Sequence, residues 1–287
     1  MARGTGTPVE MPRVRRAVFL VQNGMRRMRE GPGTAEGLQH ALQRRPGNMK
    51  KGDVMVPGII GGIGPESTID YYRLLIARFR ERTGGADYPP VLVNSIDMTA
   101  MLALVAAGNL DALAAYLAAE TDRLNAAGAD FVVMASNTPH IVFDEVRRRA
   151  RVPMLSIVEE TAGHALSQGY TKLGLFGTRF TMQGGFYQAA FEEAGIAIVT
   201  PSAEEQEFIH EKYMGEFVKG IFRDEVKSAL VATAGRMRAD SGIEGLILGG
   251  TELPLVLGPA DLPGMGVLNT TAIHVEAMID RMLSHNA

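Results

Sequence analysis

Short apolar runs alternate with longer amphipathic stretches from Val56 onward, a pattern that predicts strand–helix units with mostly parallel strands. The first run, 57–62, leads into Gly62-Ile63-Gly64-Pro65-Glu66-Ser67-Thr68 and a helix expected over 67–82. Pro65 fits a first helical turn, where its missing N–H is no loss, and Glu66 fits the positive end of that helix. A second strand is expected over 91–96, then helical material over 99–127 interrupted at Gly108-Asn109. The third strand, 131–135, ends in Ser136-Asn137-Thr138-Pro139-His140. A helix, a strand over 154–157 and a helix to Gln168 complete the unit.

The pattern then begins again. Strands are expected over 173–178, 197–200, 246–249 and 265–268, with a long helical region over 203–239 and a last helix over 270–283. Three landmarks recur at nearly one spacing: Gly62 and Gly177 are 115 residues apart, Ser136 and Gly250 114, Ser156 and Asn269 113. A near-constant offset marks an internal duplication. The expected fold is α/β, with two pseudo-symmetric Rossmann-like lobes of mostly parallel sheet, 49–168 and 169–287. The last helix is a candidate to pack back on the first lobe. Such sheets bind ligands beyond the carboxyl ends of their strands. Loops 62–68, 136–140, 177–181 and 250–252 should therefore meet in the inter-lobe cleft, with Ser136 and Gly250 on opposite sides of one small ligand.

Charge and composition exclude several functions. The net charge of −3 and pI of about 6.1 argue against nucleic acid or an anionic membrane as partner. No apolar run is long enough to span a membrane, and the run at 17–21 is too short for a secretory signal, so a cytoplasmic location is expected. With no cysteine there is no disulfide, thiolate metal site or thiol chemistry. The six histidines show no H-x-x-x-H or H-E-x-x-H spacing, so no metal is expected. Residues 1–48 stand apart, with nine arginines and no lysine against three acids. They read as a disordered basic extension or as codons upstream of the true start, with a small helix over 35–44 as the alternative.

Four motifs carry a resemblance. Ile59-Ile60-Gly61-Gly62-Ile63-Gly64-Pro65-Glu66-Ser67-Thr68 resembles the opening of the aspartate/glutamate racemases. Gly177-Thr178-Arg179-Phe180-Thr181-Met182 with Phe186-Tyr187 resembles the opening of their second lobe. Ala135-Ser136-Asn137-Thr138-Pro139-His140 is similar to the first catalytic motif, Ala-Cys-Asn-Thr-Ala-His. Leu248-Gly249-Gly250-Thr251-Glu252 is similar to the second, Gly-Cys-Thr-Glu. The resemblance runs from about Met49 to the C-terminus. It implies cofactor-independent racemisation in a homodimer, with two cysteines flanking the α-carbon of a small carboxylate substrate. Inversion needs a base and an acid on opposite faces of a planar intermediate. Here the matching positions are Ser136 and Gly250. Glycine offers no proton, and serine needs a neighbouring base to act.

What the resemblance leaves is binding apparatus. Asn137, Thr138 and Thr251 match positions that hold the substrate carboxylate and amino group. Gly62, Thr178, Thr181 and Gly250 belong to the same converging loops. Backbone N–H groups at the helix starts after Gly62 and Ser136 add anion affinity. Lys219 matches a lysine that pairs with the distal carboxylate in aspartate racemases. The arginine that assists it has no counterpart in Asn94-Ser95-Ile96-Asp97-Met98.

Each candidate has a plainer reading. Ser136 also suits a helix cap. His140, one turn on, is placed to activate Ser136 or to pack the helix start. Glu252 can serve as an acid/base from the Gly250 side or simply brace its loop. His164 and His210 default to packing or surface positions. Gly250 leaves room for a bulkier substituent or an ordered water. Two functions compete. One is an isomerase acting at carbon next to a carboxylate with altered acid/base groups, including one-face lyase, decarboxylase or tautomerase chemistry. The other is a carboxylate-binding protein that has lost turnover. A nucleotide-dependent enzyme, with Asp97 as the ribose acid, ranks below both, because the glycines at 58, 61, 62 and 64 are out of register with G-x-G-x-x-G and a lone glycine-rich loop is weak evidence.

Overall fold

The computed structural model describes residues 54–85 and 87–284; the basic segment 1–48 and its alternative helix lie outside them. Strands β1 (Pro57–Gly61), β2 (Leu92–Ser95), β3 (Phe131–Met134) and β4 (Met154–Leu155) pair in the order β2-β1-β3-β4. Strands β5 (Lys172–Gly177), β6 (Ala197–Val199), β7 (Gly245–Gly249) and β8 (Gly266–Asn269) repeat that order as β6-β5-β7-β8. Every pairing is parallel. The same order appearing twice is what a duplicated unit produces.

The central strands are buried on both faces, and alternation sorts their side chains. Ile59, Phe131 and Val133 pack toward helix α1 (Pro65–Thr83), with its Tyr71, Leu75 and Phe79. Ile60, Val132 and Met134 pack on the other face against helices α2 (Met98–Ala106), α3 (Leu110–Ala126) and α4 (Phe143–Arg149). Each such fully buried side chain contributes about 1.5–3 kcal/mol.

The remaining helices are α5 (Ile157–Ser167), α6 (Arg179–Gln183), α7 (Phe186–Glu193), α8 (Ala203–Gly215), α9 (Asp224–Ser241) and α10 (Thr270–Leu283). Duplication partners Ser156 and Asn269 cap α5 and α10 in the same way, each accepting a backbone N–H three residues on. These two helices are exchanged between lobes. Ile157, Val158, Ala162 and Ala165 of α5 join the apolar cluster of the second sheet. Val275, Met278, Ile279 and Met282 of α10 join Ile59, Tyr71 and Phe131 of the first. No helix among the described residues is long and apolar enough to cross a membrane.

Two local expectations are corrected. The long helical region expected over 203–239 is divided: α8 ends at Gly215, a short 3-10 turn follows at Phe217–Lys219, and α9 starts at Asp224. Gly220 there adopts a left-handed φ of 70°, which only glycine takes at little cost. The helix expected straight after Ser136 is a 3-10 turn, Thr138–Val142, that opens on Pro139 before α4 begins.

Candidate active site

A small cleft lies where the strand-end loops of the two sheets meet. Ser136, Asn137, Thr138, Thr178, Gly250 and Glu252 all line it. Register explains why: Gly61 pairs with Ser95 and Gly177 with Gly249, so the strands of each sheet end level.

Polar side chains of the first-lobe loop are held from the second half of the chain. The Tyr187 hydroxyl donates to Asn137 Oδ1 at 2.6 Å, and Asn137 Nδ2 donates to Thr270 Oγ1 at 3.3 Å. Thr138 Oγ1 lies 3.1 Å from Thr178 Oγ1, a bond between the two lobes' loops. Thr178 also accepts the Thr181 N–H at 3.2 Å, capping α6. Thr181 is fully buried behind it and outside the lining. Gly62 is outside the lining too. Its left-handed φ of 78° and its N–H bond to Thr68 Oγ1 at 2.8 Å turn the chain so that Ile63 and Gly64 reach the cleft.

His140 is committed to the backbone. Its Nδ1 bonds the Ser136 carbonyl, not the hydroxyl, at 2.9 Å, and Nε2 accepts the Ile157 N–H at 3.3 Å. Burial, reinforced by His274, pushes its pKa down to about 3, so the ring is neutral. With Nδ1–H donating and Nε2 accepting, no lone pair is left for the Ser136 hydroxyl. Ser136 does not cap the turn either, since that turn starts without a side-chain cap bond.

The second-lobe loop differs from expectation at Gly250. The missing side chain leaves no room for a substituent or a water, because the Tyr213 ring from α8 fills the place. A Cβ at 250 would run into ring atoms Cε2 and Cζ and the phenol oxygen. The Tyr213 hydroxyl donates to Glu252 Oε2, which also accepts the Thr251 hydroxyl at 3.0 Å. Thr251 thus serves Glu252 and is outside the lining. Glu252 is 1% exposed, and its Oε1 has no hydrogen-bond partner among the described residues. That oxygen lies against Gly64, where a Cβ would collide with it and where the φ of 67° already demands glycine. Burial raises the Glu252 pKa, against hydrogen bonds from Tyr213 and Thr251, and Glu66 adds to the rise. Burial and then the Glu252 charge push the Tyr213 phenol well above its ordinary value.

Lys219 is not brought in: it is exposed and outside the lining, although its neighbour Val218 is part of it. Among the described residues the lining contains no lysine or arginine, and Ile63, Met98, Leu102, Met214 and Val218 give it apolar side chains. His210 accepts the Arg179 N–H at 3.3 Å, and Asp97 caps α2; neither lines the cleft. Sequence reasoning missed Tyr213 and gave Tyr187 no role of its own. No pattern along the chain marks Tyr213; the steric match with Gly250 shows only in the fold.

A family model described as Asp/Glu/hydantoin racemase matches residues 60–278. A solved structure of a candidate Asp/Glu racemase from Yersinia pestis is 33% identical, with a TM-score of 0.73 over 80% of this chain and 99% of that one. An aspartate racemase homologue from Pyrococcus horikoshii OT3 is 35% identical, with a TM-score of 0.69 over 78% and 97%. The broad specificity amino-acid racemase RacX of Bacillus subtilis (strain 168) is 28% identical over 155 residues, 50% of this chain but only 63% of that protein. With the repeated sheet and the cleft between its strand ends, the match over most of the chain places this protein in the Asp/Glu/hydantoin racemase family.

Proposed function

We propose that this chain is a cofactor-independent isomerase moving a proton at carbon next to a carboxylate, by a route other than the two-thiol one. The observation that carries the reading is the preserved cradle: Asn137, Thr138 and Thr178 line the cleft with their side chains anchored by Tyr187, Thr270 and each other. Anchored amide and hydroxyl groups bind an anion with little ordering cost. The relatives named as amino-acid racemases support the reaction type. The absence of any cysteine excludes their thiol pair.

The lining also selects a substrate class. A second carboxylate would be buried among Met98, Leu102, Met214 and Val218 with no cation among the described residues of the lining. Burying an unpaired charge costs several kcal/mol. The favoured substrate is therefore an acid with one carboxylate and an apolar substituent, rather than aspartate or glutamate. A homodimer in the cytoplasm belongs to the same reading.

Deuterium uptake at Cα, followed by NMR in D2O across amino and 2-substituted acids from apolar to acidic, tests this. Uptake is expected for apolar members and slower for aspartate and glutamate. No uptake from any member, with a clear thermal shift from some, would make the protein a carboxylate binder without turnover.

A further inference from the structure

The geometry points to Tyr213 and Glu252 as one acid/base unit on the Gly250 side of the cleft, with the phenol delivered from α8 in place of a side chain at 250. This rests on the proton-transfer reading above.

Three observations converge. The ring occupies the space a Cβ at 250 would need, so the glycine and the tyrosine are sterically matched. Tyr213 is part of the cleft lining, and its phenol hydroxyl donates to Glu252 Oε2. Glu252 keeps a second oxygen, Oε1, without a partner among the described residues, in a cleft-lining position against Gly64. The phenol oxygen also accepts the Glu252 N–H at 3.4 Å, which braces the loop, but a brace alone does not account for the unpartnered Oε1, since an orphaned buried polar atom is costly. Among the described residues, Tyr213 and Glu252 are also the only ionisable side chains in the lining.

The step balances within the pair. The phenol oxygen takes the Cα proton as its own proton passes to Glu252. The Cα–H bonding pair becomes the enolate of the substrate carboxylate, and Glu252 becomes a carboxylic acid. Reversal returns a proton to the same face. Ser136 on the other loop has no base, because His140 is tied to backbone at both nitrogens. Exchange should therefore outrun inversion: label enters from the Gly250 face many times for each inversion, which needs a proton delivered by solvent on the Ser136 face.

The experiment measures Cα deuterium uptake and enantiomer composition for wild type, Tyr213→Phe, Glu252→Gln and the double variant, using the panel acid with the fastest uptake. Each single variant is expected to lose about 100-fold or more in uptake. The double variant is expected to be no slower than the worse single one, because the two residues act as a unit. Ligand-induced thermal stabilisation should persist in Tyr213→Phe, which separates lost chemistry from lost folding. Wild-type uptake should fall with acid as Glu252 protonates, its facing groups being Tyr213 and Glu66, and Glu252→Gln should abolish that limb. Uptake in Tyr213→Phe within about threefold of wild type, or inversion as fast as exchange, overturns the dyad and leaves the proposed function standing. If Tyr213→Phe fails to fold, a wild-type profile without an acid limb overturns it instead. No uptake by wild type sinks the function itself.

Discussion

Ser136 and Gly250 end β3 and β7 at equivalent places, yet their loops are furnished differently. In the first lobe the strand ends in a hydroxyl whose neighbouring imidazole is spent on backbone groups. In the second it ends in no side chain at all, and Tyr213, 37 residues earlier on α8, fills the gap with a phenol bound to a buried carboxylate. Duplication fixes where strand ends meet, because parallel pairing and register repeat. It does not fix chemistry, because each loop's side chains answer to whatever helix packs on them.

The sharpest way to break this comparison is Gly250→Ala. The added Cβ displaces the Tyr213 ring, and packing too much into a filled site costs about 1–3 kcal/mol. Uptake should fall on the order of 100-fold, as for removal of a positioned acid/base group, read beside a thermal melt. Next comes Glu160 on the exchanged helix α5, which faces Asp280 on α10. Burial first, then Glu159 and Asp280, raise its pKa to about 7. The folded protein holds that proton more tightly than the unfolded one, so stability falls as pH rises from the ordinary carboxylate range to about 7. Glu160→Gln should stabilise on the order of 2 kcal/mol at pH 8 and almost nothing at pH 4, by urea melts at both.

Ser136→Ala should lower uptake by less than about tenfold if its hydroxyl only donates a hydrogen bond to substrate. A loss matching that of Tyr213→Phe would make the two faces equals. Tyr187→Phe frees the Asn137 amide and should raise KM about fivefold with kcat little changed. Smallest is Lys219→Ala, expected to stay within about twofold in kcat/KM, because the side chain is exposed outside the lining.

Much of the architecture was legible. The repeat offset foretold two sheets of one order, and most strand positions fall within a residue or two of their expected bounds. The anchored trio Asn137, Thr138 and Thr178 was legible through its motifs. The region 203–239 was not, because a helical pattern shows a glycine without showing which way the chain turns after it. Phe217, fully buried past the break, sets that turn by packing into the second apolar cluster.

By itself the sequence determined the duplicated α/β units, the strand-end loops that meet, and the absence of any thiol; these follow from periodicity, spacing and residue type, which are local. Only the tertiary structure decided that His140 is spent on backbone, that Lys219 is exposed outside the lining, and that Tyr213 stands in the gap at Gly250. Those outcomes turn on contacts such as His140 with Ile157, 17 positions on, and Tyr213 with Glu252, 39 positions on. Packing of whole elements, not any pattern along the chain, selects such partners.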